Sequence, residues 1–344
     1  MMTAILVAGG AGYVGSHTVV KLLEKNQKVI IADDFSHSNP AVISAIQAIT
    51  GQSVKSYHAD LTQFEEVKKI FNENEISGVI NLAGYKSVGE SSQMPLHYYR
   101  NNLEIMLNLL TVMEEYDVYH LVFSSSATVY GNPKELPVKE SAQRKPTNTY
   151  GRTKVMIEQI LQDLAESDSR WRFISLRFFN PLGAHKSSDL GEDPNGLPNN
   201  LAPYITQVAI GKLPKLQIYG HDFPTPDGTS VRDYLHIDDL AAGHVAAMNN
   251  LLDSQDETSG FEAINLGSGK GYSVLEIVQA FEEAIGKKIP FDYTEKRLGD
   301  AAESFASIEK AKKVLGWVPT YTIEEMCQDT WRWQLKHPNG YDNE

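Results

Sequence analysis

Tyr150 stands four residues before Lys154, in the run Tyr150-Gly151-Arg152-Thr153-Lys154. On a helix, residues i and i+4 share a face, so the lysine ammonium can lie beside the phenol. A free tyrosine, with a pKa near ~10, is only about 0.1 % ionised at neutral pH. A cation about 6 Å away, at an effective dielectric of about 20, favours the phenolate by roughly 3 kcal/mol, or about two pKa units. A second positive charge would add to this, and burial would oppose it. The pair can therefore form a general base for a hydroxyl group, provided that a hydride acceptor lies alongside.

The spacing alone is not specific. Tyr130 and Lys134 share it, but there Gly131, Asn132 and Pro133 read as a turn, so the two side chains need not meet. Around Tyr150 the setting differs. Pro146 and Asn148 precede it, and Val155, Ile157, Ile160, Leu161 and Leu164 follow at helical spacing.

The hydride acceptor is expected at the other end of the chain. An apolar run, Ala4 to Ala8, leads into Gly9-Gly10-Ala11-Gly12-Tyr13-Val14-Gly15, and Val14, Val19, Val20, Leu22 and Leu23 then form a helical apolar face. A second apolar run, Val29 to Ala32, ends in Asp33. Glycines at such a strand-to-helix turn let the backbone approach a pyrophosphate, and the helix N-terminus points N–H dipoles at it. An acid closing the second strand takes the ribose hydroxyls of the adenosine half and repels a 2′-phosphate, which favours NAD over NADP. An oxidised nicotinamide would also be the second positive charge near Tyr150. Gly267-Ser268-Gly269-Lys270-Gly271 lacks a following acid-ended strand and reads as a turn before a Ser273-capped helix.

These side chains need a scaffold, and the first half of the sequence supplies alternating elements. Strands are expected at Val54 to His58, Gly78 to Ala83 and His120 to Ser124, with helices at Phe64 to Phe71 and Leu103 to Tyr116. Such alternation predicts an α/β fold, a doubly wound parallel sheet with ligands at the carboxyl ends of its strands. Three loops fall there: Asp60-Leu61, Ala83 to Lys86, and Ser124 to Thr128. The Gly/Pro/Asn-rich stretch from Pro181 to Pro203 marks passage into a smaller mixed α/β lobe. We expect a dinucleotide-binding domain over 1–180 and a substrate lobe over 181–344, with segments from about 231–270 returning to the main sheet.

Composition bounds the rest. The chain of 344 residues, 42 % of them hydrophobic, can bury a sizeable core. Its net charge of -13 argues against a nucleic-acid or anionic-membrane partner. Any phosphate must then be gripped locally, by backbone N–H groups or a few arginines. The single cysteine, Cys327, allows no intrachain disulfide and fits a reducing compartment. With no basic leader before the first apolar run and no stretch long enough to span a bilayer, a soluble cytoplasmic protein is expected. No H-x-x-x-H or paired-cysteine pattern suggests a metal, and Asp238-Asp239 beside His236 reads as a polar helix start.

Taken together, the motifs resemble the extended short-chain dehydrogenase/reductases, along nearly the whole chain. The resemblance is carried by Gly9 to Ser16, Ala83-Gly84 with Lys86 to Glu90, Ser124 to Gly131, Tyr150 to Lys154, Arg177 to Gly183, Gly191 to Leu201, Val231 to Tyr234, and Arg297 with Gly299-Asp300. Among those enzymes it is similar to the ones that invert C4 of a UDP-hexose (glucose to galactose) through a transient 4-keto sugar, using retained NAD. The resemblance implies Ser126, Tyr150 and Lys154 as the catalytic residues. It implies cofactor contacts from Gly9, Gly12, Tyr13, Val14, Gly15, Asp33, Asp34, Asp60, Leu61, Leu82, Ala83, Gly84, Lys86, Asn101, Ser124, Tyr150, Lys154 and Phe178. Contacts to the UDP-sugar are implied for Lys86, Ser126, Tyr150, Phe179, Asn180, Asn200, Leu201, Arg232, Tyr234, Arg297, Asp300 and Ser304. It further implies a homodimer packed through the Leu103 and Tyr150 helices.

Three positions depart from the family pattern: Ala8 replaces a common threonine, Asn81-Leu82 replaces a common histidine-phenylalanine, and Ser304 falls at a variable position lining the hexose pocket. A small residue there leaves room for an N-acetylated hexose, so the UDP-N-acetylhexosamines are expected as further substrates. Dehydratases and decarboxylases of the same fold carry an acid just after the active-site serine or threonine. Here Ala127 and Thr128 follow Ser126, with no carboxylate until Glu135, which disfavours elimination. A non-catalytic NAD sensor is the other alternative, and the intact Ser126, Tyr150 and Lys154 argue against it.

Overall fold

In the computed structural model of the chain, residues 3–194, 196–253, 260–297 and 300–341 are described; Gly299 of the motif above lies outside them. Strand and helix alternate from the start: β1 Ala4–Ala8, α1 Tyr13–Glu24, β2 Lys28–Asp33, α2 Ala41–Thr50, β3 Lys55–His58, α3 Phe64–Asn72 and β4 Ile76–Asn81. Next come α4 Val88–Gln93, α5 Pro95–Glu115, β5 His120–Ser124, a 3-10 turn at Ala127–Tyr130, α6 Thr149–Ser167 and β6 Arg172–Phe178. The chain continues through β7 Asn180–Leu182, α7 Leu201–Ala209, β8 Leu216–Tyr219, β9 Val231–Arg232, β10 Tyr234–His236, α8 Ile237–Asp253 and β11 Gly260–Leu266. It closes with β12 Tyr272–Ser273, α9 Val274–Ile285, β13 Phe291–Thr294, β14 Glu303–Ser304, α10 Glu309–Leu315 and α11 Ile323–Lys336.

Seven strands form one parallel sheet in the order β11-β6-β5-β4-β1-β2-β3. Because helices cover both faces, central strand β1 is a continuous apolar run with all five residues buried. Val19, Leu22, Ile46, Val245 and Met248, from α1, α2 and α8, pack on one face. Val67, Ile70, Met106, Leu109, Ile157 and Leu161, from α3, α5 and α6, pack on the other. Strand order reverses between β1 and β4, which opens a ligand crevice at their carboxyl ends.

The expected helix at Leu103 in fact begins at Pro95, whose ring suits a first helical position and whose turn buries Tyr98. Of the stretch 231–270, β11 extends the main sheet beside β6 and α8 covers one face. By contrast β10 pairs with β7, and β9 lies between β12 and β14. The glycine run at Gly267 leads to Ser273, which caps α9 in a capping box with Glu276. A further apolar cluster joins Ile205, Leu216, Ile218, Ile277, Phe281 and Met326. Among the described residues no helix is long and apolar enough to cross a membrane.

Candidate active site

The Asn148 side chain caps α6 by accepting from the Gly151 N–H at 2.8 Å, which sets Tyr150 in the first turn of the helix. Gly151 is where that turn meets the loop after β5: a Cβ there would lie 2.9 Å from the Thr128 carbonyl oxygen. The close approach brings the Tyr150 phenol to the Ser126 hydroxyl, which favours the ionised phenol. One helical turn on, Lys154 donates to the Ser124 carbonyl at 2.7 Å. Its ammonium lies 4.6 Å from the centre of the Phe123 ring and 5.6 Å from that of Tyr150.

Electrostatically the pair departs from the sequence-based expectation. Burial pushes the Tyr150 phenol up to about 12, opposed by the nearby Ser126 hydroxyl. Burial also pushes Lys154 down to about 7, opposed by the negative charge of Glu158. The lysine alone therefore does not lower the phenol in this fold. Desolvation of both groups outweighs an attraction of roughly 3 kcal/mol acting across a ring.

The Tyr130–Lys134 pair does not meet. Tyr130 is buried, donating to Asn265 at 2.6 Å and accepting from Arg177 at 3.0 Å, while Lys134 is exposed.

The glycine turn after β1 is built for backbone contact. Gly9 has φ +74°, and a Cβ at Gly15 would stand 2.1 Å from the Gly9 carbonyl oxygen. The N-cap of α1, Gly12, offers no side-chain cap, so the amides of the first turn are left to a ligand. Asp33, at the end of β2, accepts from the Ala11 N–H at 2.9 Å and from the Ser38 hydroxyl at 2.8 Å. The acid is thereby fixed against the turn, and burial raises its pKa. Asp34 beside it is exposed. A cradle in which surrounding backbone leaves no room for a Cβ at Gly9 or Gly15, closed by an acid, fits the pyrophosphate and adenosine half of NAD.

Around that cradle, Asp60 accepts from the Thr62 N–H and hydroxyl, and Leu61 is buried beneath it. Leu82, Ala83 and Gly84 follow β4, with Ala83 packed against Gly9. Asn101 donates to Asn102 at 3.1 Å, and Asn102 holds the Tyr85 backbone by both of its amide atoms. Tyr13 donates to the Gly183 carbonyl at 2.6 Å and so ties α1 to the residue that follows β7. Phe178, half-buried, ends β6.

On the substrate side, β14 runs parallel to β9 with Ser304 opposite Arg232. Arg232 lies 3.8 Å from the Asp300 carboxylate, and the Arg297 guanidinium stacks over Tyr219 at 3.8 Å. Two arginines and Ser304 are thus gathered at one place. Lys86 is 68 % exposed and 3.7 Å from Glu192, whose carboxylate also accepts from Asn200 at the start of α7, next to Leu201. Asn180 is exposed in β7. Phe179 and Tyr234 are each 4 % exposed, packed in apolar clusters.

Sequence reasoning passed over Glu192, Asn102 and the buried carboxylate Glu158, although Glu158 continues the i+4 series begun by Tyr150 and Lys154. Among the described residues no group of three or more His, Cys, Asp or Glu is arranged to hold a metal ion. Asp238 and Asp239 are buried; Asp238 pairs with Lys21 at 3.0 Å, and Asp239 holds the Thr320 backbone.

The profile of the NAD dependent epimerase/dehydratase family matches residues 5–267. A UDP-glucose 4-epimerase of Bacillus subtilis is 52 % identical over 338 residues, 98 % of this chain and 98 % of that one. The crystal structure of UDP-glucose 4-epimerase from Bifidobacterium longum in complex with NAD+ and UDP is 47 % identical, with a TM-score of 0.94 over 98 % of this chain and 100 % of that one. The UDP-Glc/GlcNAc 4-epimerase of Campylobacter jejuni is 31 % identical, with a TM-score of 0.83 over 97 % and 99 % of the two chains. The chain belongs to the NAD dependent epimerase/dehydratase family, in the branch formed by the UDP-glucose 4-epimerases.

Proposed function

We propose that this protein is an isomerase that inverts C4 of a UDP-hexose, interconverting UDP-glucose and UDP-galactose as in galactose metabolism. The observation that carries the reading is the Tyr150 phenol beside the Ser126 hydroxyl just past the carboxyl end of β5, with Lys154 one turn behind it and bonded to the Ser124 carbonyl.

Tyr150 takes the proton of the sugar 4-hydroxyl, and Ser126 holds the 4-oxygen while the charge on it changes. Bound NAD supplies the acceptor for the C4 hydride and gives the hydride back, so the cycle consumes no cofactor. Lys154 holds the loop carrying Ser124 and offers its charge to the phenol. After the keto sugar turns over, Tyr150 returns the proton to the 4-oxygen and the inverted alcohol leaves. For that rotation the hexose must be held loosely and the UDP firmly. Arg232 and Arg297 suit the diphosphate, since a planar guanidinium fork matches phosphate oxygens. Binding energy from the nucleotide then keeps the keto sugar in place.

Three narrower points belong to the same reading. Ser304 is a small side chain in register with Arg232, which supports turnover of UDP-N-acetylglucosamine and UDP-N-acetylgalactosamine. Exposed Leu96, Leu107 and Met156 on α5 and α6 support a homodimer packed through those helices. One buried, unpaired cysteine, Cys327, is consistent with a cytoplasmic protein. As a test, purified protein is denatured and assayed for dinucleotide, and native protein is given UDP-galactose with no added cofactor. Released NAD and formation of UDP-glucose are expected; no dinucleotide together with a continual need for NAD would contradict the reading.

A further inference from the structure

Glu158 lies one turn beyond Lys154 on α6, fully buried. Its Oε1 accepts from the Ser125 hydroxyl at 2.8 Å, from Arg177 Nε at 2.9 Å and from the Ser175 hydroxyl at 3.1 Å. Its Oε2 accepts from Arg177 Nη2 at 2.7 Å and from Arg144 Nη1 at 3.2 Å. Ser125 is the middle residue of Ser124–Ser126. The residue before it accepts from Lys154 through its carbonyl, and the hydroxyl of the residue after it acts on the Tyr150 phenol. Arg177 immediately precedes Phe178 at the end of β6. One carboxylate thus ties together the loop, the helix and the strand end that face the cofactor cradle.

Stability does not by itself account for such a group. A buried ion pair contributes little compared with apolar residues of the same volume, because both charges must be desolvated. What five donors converging on one carboxylate do provide is fixed geometry. We propose that Glu158 is a positioning residue of the active site: it clamps the Ser124–Ser126 loop to α6 through Ser125 and supplies the negative charge that faces Lys154. The proposal rests on the epimerase reading above.

The titratable and charged groups around this seat come from several elements. They are Tyr150 and Glu158 on α6, Arg144 in the preceding loop, Arg177 on β6, Tyr130 in the 3-10 turn, and His244 on α8. His244 lies 3.2 Å from the Ser124 hydroxyl and is kept neutral by burial, at about 4. Of these groups, Glu158 is the one that opposes the loss of the Lys154 proton to burial.

Two matched deletions on the same oxygen separate positioning from packing. In the holoenzyme, Ser125→Ala removes the bond from the loop, and Ser175→Ala removes the bond from β6; in both, Glu158 and Arg177 keep each other. For UDP-galactose, Ser125→Ala is expected to lower kcat on the order of tenfold with KM unchanged, and Ser175→Ala to stay within about twofold of wild type. In Glu158→Gln the alkaline limb of kcat is expected to move to lower pH, since Lys154 then loses its charge sooner. Equal kcat in the two serine variants, or an unmoved alkaline limb in folded Glu158→Gln, would overturn the proposal while leaving an active wild type, and with it the epimerase reading, intact. A wild-type holoenzyme inactive on UDP-galactose would overturn both.

Discussion

The Lys154 ammonium sits 5.6 Å from the centre of the Tyr150 ring yet spends its short hydrogen bond, 2.7 Å, on the carbonyl of Ser124. It helps the phenol only through space, and burial pulls each group towards its neutral form. The proton carrier is therefore defined by its contact with Ser126 as much as by its lysine.

Tyr150→Phe is expected to leave folding largely intact and to lower kcat by roughly 10²–10⁴-fold, the range for loss of a general acid–base group. Tyr130→Phe should do the reverse. It strips the buried Asn265 amide and the Arg177 guanidinium of a partner, costing about 1–3 kcal/mol of stability with a small change in kcat. Comparable kcat losses in the two variants, measured beside urea unfolding, would refute the assignment.

Lys154→Met should stabilise the cofactor-free chain at low pH while abolishing turnover. A lysine moved from 10.5 to about 7 on folding binds its proton more weakly in the native state. Its penalty is thus fully present below pH 7 and fades as pH rises towards 10.5. At about 1.4 kcal/mol per unit the full penalty is on the order of 5 kcal/mol, of which the lost Ser124 bond takes back roughly 1–3 kcal/mol. Unfolding curves between pH 6 and pH 10 check this; a methionine variant less stable than wild type at pH 6 would contradict it.

Ser304→Tyr should abolish turnover of UDP-N-acetylglucosamine and spare UDP-galactose. The keto sugar must invert within its pocket, and an acetamido group needs clearance in both orientations. Side-by-side assays of the two substrates decide this, and a wild type that ignores the N-acetylated pair would show that another wall sets the limit.

Much of this arrangement was legible in the sequence because it is local. The cradle needs glycines in a fixed order between a strand and a helix, and Tyr150 and Lys154 are one turn apart. Strand β1 and most of β2 show as unbroken apolar runs because helices cover both faces of the sheet there. What stayed hidden depends on long-range approach. Nothing around Glu158 announces that Ser125, Ser175 and Arg177 converge on it from other elements. Burial depth was equally invisible, so the sequence predicted a lowered phenol where desolvation raises it. Nor does the sequence show that Phe179 and Tyr234 join apolar clusters.

The central claim is that one hydride leaves C4 and returns to the same carbon from the other face. UDP-galactose carrying deuterium at C4 tests it most directly, incubated with the protein in ordinary water with no added cofactor. The account predicts UDP-glucose with the deuterium still at C4. UDP-glucose that has exchanged its C4 deuterium for solvent hydrogen would contradict it.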